Sequence, residues 1–262
     1  MKQINIIGFG LMGRQISALF YLLGYEVGVY NKSEPNIDEF NKQVKFLKRK
    51  LDFSNFQTGK LLFYKQIEDF KDSFIVESLS EDLDLKKEII ENLKKKGNTV
   101  FSNSSSLGAK DLACNFIHFF NPISIKLIEI YGLNINEFDF IKDLKDFGFY
   151  IIHSKGNRGS LANLLLFNEI SSFFKIIETY NYNIQDSQVV YKLLYEKRNL
   201  LNIINTIGIE LCDEICRNLK EEDENFYHPK IFQKALKNGI LGRKNKTHIL
   251  NIFQMQDKNI LN

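Results

Sequence analysis

Ile4-Asn5-Ile6-Ile7-Gly8-Phe9-Gly10-Leu11-Met12-Gly13 is the stretch that decides the fold. Residues 4–7 form a short apolar run that ends in glycines, as a strand buried on both faces does. Beyond Gly13, Ile16, Leu19, Phe20 and Leu23 recur at helical spacing, and Gly24 is placed to end that helix. Residues 27–30 read as a second strand. Gly-x-Gly-x-x-Gly alone is a weak signal in a chain with 15 glycines. Between a strand and a helix it gains meaning. Gly8 permits the turn, Gly10 lets a pyrophosphate approach the backbone, and Gly13 lets the helix pack on the sheet. Leu11 and Met12 lie at the helix N-terminus, whose N–H groups and partial positive charge suit phosphates. The motif points to a dinucleotide.

Outward from this unit the alternation continues. Helices are expected over 38–50 and 84–95, and strands over 74–77, 99–101, 116–119, 126–131 and 149–153. Such a pattern indicates a doubly wound sheet with helices on both faces. After Gly156-Asn157-Arg158-Gly159 the character changes. Residues 161–179, 187–196, 199–219 and 229–238 read as helices, with no strand between them. The expected boundary lies near residue 157, α/β before it and all-α after. The helix over 161–179 is apolar on more than one face, which suggests burial against a partner subunit in a homodimer.

The chain has 262 residues, a length that suits one large domain or two of about 100–200 residues. Hydrophobic residues at 44% and charged residues at 26% exclude a disordered chain. A net charge of +3 is too small for an electrostatic nucleic-acid binder. No stretch of ~18 apolar residues is present to span a membrane. Three cysteines cannot form a disulfide framework, so a reducing, cytoplasmic setting is expected. Cys212 and Cys216 share a helix face, but too few further ligands lie nearby for a metal site.

At the end of the second strand, NAD sites usually carry an acid for the ribose 2′-hydroxyl. Here Asn31-Lys32-Ser33 follows Tyr30. These residues could accept a 2′-phosphate by hydrogen bonding and charge. Asn31 could equally bond the ribose of NAD, so NAD or NADP both remain open.

Farther on, Ser102-Asn103-Ser104-Ser105-Ser106-Leu107 follows a strand. His118-Phe119-Phe120-Asn121-Pro122 and Lys126-Leu127-Ile128-Glu129-Ile130 come next. A Glu among isoleucines needs a partner if buried, and His118 is the obvious candidate. On these motifs the chain resembles the L-3-hydroxyacyl-CoA dehydrogenase family, including 3-hydroxybutyryl-CoA dehydrogenases. The likeness extends to about Lys246. It implies a Rossmann-type NAD(P)-binding domain over 1–157 and a helical substrate-binding and dimerisation domain over 158–262. By motif match it implies acid–base work by His118 and Glu129, substrate orientation by Ser105 and Asn163, and cofactor contacts at Glu81, Lys86, Ser105, Asn121 and Lys244. Its substrate would be an acyl-CoA, short-chain in a chain this compact. No metal, nucleic acid or membrane partner is expected.

The residue types suit the chemistry. Oxidising a secondary alcohol sends a hydride to the nicotinamide and a proton to a base, and His titrates near neutrality. A neighbouring Glu129 should raise its pKa. Several family motifs differ here. The segment from His118 to Glu129 is one residue shorter than usual. If the loss falls within the strand, Glu129 turns to the opposite face. The family's P-G-F-I-V-N-R is here Arg158-Gly159-Ser160-Leu161-Ala162-Asn163-Leu164. Lys197-Arg198-Asn199-Leu200 stands for P-M-G-P, and Asn245-Lys246-Thr247-His248 for the final aromatic motif. These changes keep open two alternatives, a dehydrogenase of a hydroxy acid without CoA and a nucleotide-binding homologue without turnover.

Overall fold

The computed structural model describes residues 2–70, 73–132, 134, 138–196 and 198–252. Lys197 lies outside the described residues. The chain divides into two compact units, Met1–Ser160 and Leu161–Asn262. The expected boundary near 157 falls a few residues ahead of this division.

The first unit is built on an eight-stranded sheet. Its strands are β1 (Gln3–Ile7), β2 (Glu26–Tyr30), β3 (Lys60–Tyr64), β4 (Phe74–Glu77), β5 (Thr99–Ser102), β6 (Asn115–Phe119), β7 (Leu127–Tyr131) and β8 (Tyr150–His153). Their order is β3-β2-β1-β4-β5-β6-β7-β8. All neighbours pair in parallel except β6 with β7. Strand order reverses beside β1, which marks the switch point where open α/β sheets bind ligands.

The helices are α1 (Leu11–Leu22), α2 (Ile37–Lys50), α3 (Leu83–Lys95), the short α4 (Ala109–Leu112) and α5 (Asp139–Asp146). Alternation along β1 sends Ile4 and Ile6 into one core with Leu19, Phe20, Phe40 and Phe140. Ile7 enters the opposite core with Ile75, Val100, Ile90 and Leu93. Both sheet faces are thereby covered. Local chemistry starts the helices where the sequence provides it. The side chain of Asn36 accepts from the Glu39 N–H, and that of Asp82 from the Leu85 N–H.

The second unit comprises α6 (Leu161–Tyr180), α7 (Ile184–Leu194), α8 (Leu200–Ile207), α9 (Ile209–Glu222) and α10 (Lys230–Lys237). Its core gathers Phe167, Phe174, Leu201, Ile204, Cys212, Cys216 and Phe232. The single helix expected over 199–219 is two helices. Gly208, at φ +102°, breaks it between α8 and α9, in a conformation that other residues rarely adopt. Among the described residues, no helix is long and apolar enough to cross a membrane.

Candidate active site

β1, β4, β5 and β6 run parallel, so their C-terminal ends form one edge of the sheet. The candidate residues of the first unit cluster there. At Gly8, φ is +93° and a Cβ would lie 2.4 Å from the Ser78 carbonyl oxygen. At Gly13 a Cβ would lie 1.9 Å from the Gly8 carbonyl oxygen. Both positions demand glycine. At Gly10 a Cβ would meet nothing within 4 Å, so the turn is open above it. The start of α1 has no side-chain cap and no acid in its first turn. N–H groups at Leu11, Met12 and Gly13 therefore face outward without intrahelical acceptors. With the helix dipole, this arrangement fits the phosphates of a dinucleotide.

Asn31 braces this turn. Its Oδ1 accepts from the Phe9 N–H at 2.9 Å, and its Nδ2 donates to the Ser33 carbonyl at 2.8 Å and to Ser33 Oγ at 3.0 Å. Lys32 beside it is exposed.

A chain of carboxylates organises the neighbouring strands. Glu77 ends β4 and is wholly buried. Its Oε1 accepts from Lys86 Nζ at 2.6 Å and from the Leu79 N–H at 2.6 Å, and its Oε2 accepts from Ser102 Oγ at 2.7 Å. Lys86 is equally buried and is engaged by Glu77, where the resemblance implies a cofactor contact. Glu81, in the same β4–α3 loop, accepts from the Ser105 N–H at 2.7 Å and from the Ser104 hydroxyl. Asn103 accepts from the Phe119 N–H at 2.9 Å, which pins the β5 turn to β6. Ser105 Oγ then lies 3.3 Å from His118 Nε2.

His118 and Glu129 face each other directly in the antiparallel β6–β7 pair. Opposed residues share a face, with Cβ atoms about 4.5–5.5 Å apart. The shortened segment is thus accommodated without turning Glu129 away. The imidazole is buried, lying near Phe116 and edge-on to Phe120 at a centroid distance of 4.6 Å. Its Nδ1 has no hydrogen-bond partner among the described residues. Burial pushes its pKa down from 6.5 to about 4. This corrects the expectation that Glu129 would raise it: burial strips the imidazolium of its hydration.

Asn121 follows β6 at the same edge, and its Oδ1 accepts from Gln15 Nε2 at 3.1 Å. The two remaining residues belong to the helical unit. Asn163 is half-buried in the first turn of α6. Lys244, in the turn Gly242–Asn245, pairs with Glu210 at 2.6 Å. Among the described residues, no group of three or more His, Cys, Asp or Glu side chains could hold a metal ion.

The sequence model of the 3-hydroxyacyl-CoA dehydrogenase NAD-binding domain matches residues 3–149, more than half of the chain. The chain belongs to the 3-hydroxyacyl-CoA dehydrogenase family. It is 25% identical over 224 residues to the human mitochondrial hydroxyacyl-coenzyme A dehydrogenase, covering 74% of this chain and 71% of that one. The fold is shared with (S)-3-hydroxybutyryl-CoA dehydrogenase from Ralstonia eutropha, at TM-score 0.78 and 20% identity, over 95% of this chain and 98% of that one. It is shared also with FadB2 from M. tuberculosis, at TM-score 0.77 and 22% identity, with the same coverage. The family is one of oxidoreductases that use a nicotinamide cofactor, and the open turn at Gly10 fits that cofactor.

Reading motifs overlooked Glu77, Asn103 and Gln15 in this family member. Glu77 had a signal, since it is the one charged residue of an apolar strand, Phe74-Ile75-Val76-Glu77. Gln15 likewise interrupts the apolar side of α1. Breaking a buried ion pair by removing one partner leaves the other charge uncompensated, at a cost of about 3–5 kcal/mol. Glu77→Leu is therefore expected to lower unfolding free energy in urea by about that amount, and Glu77→Leu with Lys86→Met to recover part of it. Equal loss in the single and double variants would contradict this account of the pair.

Proposed function

We propose that this protein interconverts an L-3-hydroxyacyl-CoA and the corresponding 3-oxoacyl-CoA, with short-chain substrates such as 3-hydroxybutyryl-CoA and acetoacetyl-CoA. The observation that carries the reading is the convergence of Ser105 and His118, with Glu129 opposite, on the sheet edge beside the glycine turn. The bound nicotinamide supplies hydride chemistry that no side chain can perform. His118 is neutral at pH 7 and accepts the hydroxyl proton as the alcohol is oxidised. Glu129, across the strand pair, offsets the positive charge then formed on the ring. Ser105 holds the substrate oxygen near the imidazole. In reduction the protonated His118 returns the proton to the carbonyl oxygen.

The cofactor is NAD or NADP. Tolerance of the latter is supported by Asn31-Lys32-Ser33 at the end of β2, where no carboxylate opposes a 2′-phosphate. Cofactor contacts of this reading are the glycine turn Gly8, Gly10, Leu11, Met12 and Gly13, with Asn31, Lys32, Glu81, Ser105 and Asn121 of the same unit, whereas Lys86 is spent on Glu77. Three free thiols accord with a reducing, cytoplasmic setting.

The helical unit serves substrate binding and dimerisation. Its support is an apolar surface on α6 and α7. Leu165 is 67% exposed and Leu193 79%, with Leu161, Ile176, Val189, Val190 and Leu194 also exposed. Exposed apolar side chains repeated along these two helices suit the core of an interface with a second copy.

General acid–base catalysis contributes typically about 10²–10⁴-fold. Oxidation of NADH or NADPH with acetoacetyl-CoA is expected to fall by that factor in His118→Gln, and by roughly tenfold or more in Glu129→Gln. Undiminished activity in His118→Gln would overturn the mechanism, and cofactor binding without turnover would overturn the substrate assignment. Sedimentation analysis is expected to show a dimer that Leu165→Glu or Leu193→Glu converts to monomer. A wild-type monomer would contradict the proposed interface.

A further inference from the structure

Gln15 is a nearly fully buried polar side chain on α1, the helix that begins at the glycine turn. Its two amide ends reach a distant segment, the link between β6 and β7. Oε1 accepts from the Ile123 N–H at 3.0 Å, and Nε2 donates to Asn121 Oδ1 at 3.1 Å. The polarity of this relay is forced. A backbone N–H can only donate, so the Gln15 oxygen must face Ile123. Its NH2 group must then face Asn121, and a donor can be met only by the Asn121 oxygen. The Asn121 NH2 group is left over. Asn121 is exposed, and its Nδ2 has no partner among the described residues.

The position of that amide narrows its use. The end of β2 takes the adenosine ribose, so the other half of a dinucleotide extends past the switch point toward β4, β5 and β6. Asn121 lies at the end of β6, three residues beyond His118. We propose that Gln15 is a positioning residue that fixes Asn121 as a hydrogen-bond donor toward an acceptor oxygen on the nicotinamide half of the cofactor. This rests on the cofactor assignment of Asn121 under the proposed function. Gln15 itself touches no cofactor. It sets which end of the Asn121 amide is presented.

Two substitutions at Gln15 separate polarity from packing. Gln15→Glu keeps an acceptor for the Ile123 N–H and offers Asn121 a second acceptor. The Asn121 amide must turn over to donate to it, presenting its own oxygen to the cofactor acceptor. Gln15→Met removes the relay but leaves Asn121 able to choose its orientation. The test is direct fluorescence titration of the intact protein with NADH, without acyl-CoA, on wild type, both Gln15 variants, Asn121→Ala and the Gln15→Glu/Asn121→Ala double variant. Thermal melts accompany each titration.

Loss of one such hydrogen bond corresponds to a Kd about tenfold higher. Asn121→Ala is expected to raise Kd by about tenfold, Gln15→Glu by at least as much, and Gln15→Met by less. In the Asn121→Ala background, Gln15→Glu is expected to have no further effect, because its action passes through Asn121. A purely structural role would add the two effects instead. Additive effects, or a Kd unchanged by Gln15→Glu or by Asn121→Ala, would overturn the inference. Since no acyl-CoA is present, this result stands apart from whether acetoacetyl-CoA is turned over.

Discussion

A carboxylate with no exposed surface must be answered by donors, and Glu77 is answered from three elements at once. Lys86 comes from α3, the Leu79 N–H from the following loop, and Ser102 from the end of β5. An apolar pair would be cheaper to bury than this ion pair. It would also leave the Leu79 N–H and the Ser102 hydroxyl without an acceptor. Meeting that demand draws the β4–α3 loop against the β5 turn, so that Glu81 reaches Ser104 and Ser105. Ser105 then stands beside His118. The geometry of this sheet edge follows from one buried charge two strands away from the imidazole.

The imidazole is governed by its enclosure. Burial beside Phe116 and Phe120 removes the hydration that would stabilise its charged form. The pKa near 4 leaves His118 neutral through the physiological range. A shift of this size amounts to about 3 kcal/mol against protonation in the fold. Its sign fixes a consequence for stability. The unfolded chain takes up the proton more readily, so this contribution is whole above pH 6.5 and declines as pH falls toward 4. A neutral ring is the form that the proposed base requires, and the same enclosure that costs stability in acid would keep it neutral near pH 7.

What could be read from the sequence was local. The β1–α1–β2 unit declares itself in a run of seven residues and three glycines, because strand burial and turn geometry are decided within that run. His118 and Glu129 were legible as residue types, while their facing required a register that depends on where the intervening segment loses a residue. Gln15 and Glu77 were not legible as parts of the site. Glu77 is one charged residue in an apolar strand, and Gln15, beside Arg14 and Ser17 on α1, finds its partner 106 positions away. β3 escaped notice because Lys60-Leu61-Leu62-Phe63-Tyr64 is a half-exposed edge with no alternation. The break at Gly208 was hidden by apolar spacing that continues across it. Lys86 shows the converse. Its type and spacing matched a cofactor contact, but depth of burial gave its charge to Glu77.

The central claim is that an uncharged imidazole, seated between rings and opposite a carboxylate, is the base of the reaction. The most direct measurement is the pH titration of its ring nitrogens by 15N NMR in histidine-labelled protein, with His118→Gln identifying the signal among four histidines. The account predicts a neutral ring from pH 8 down to about 5, with protonation centred near pH 4. A ring that is already charged at pH 6.5 would contradict it.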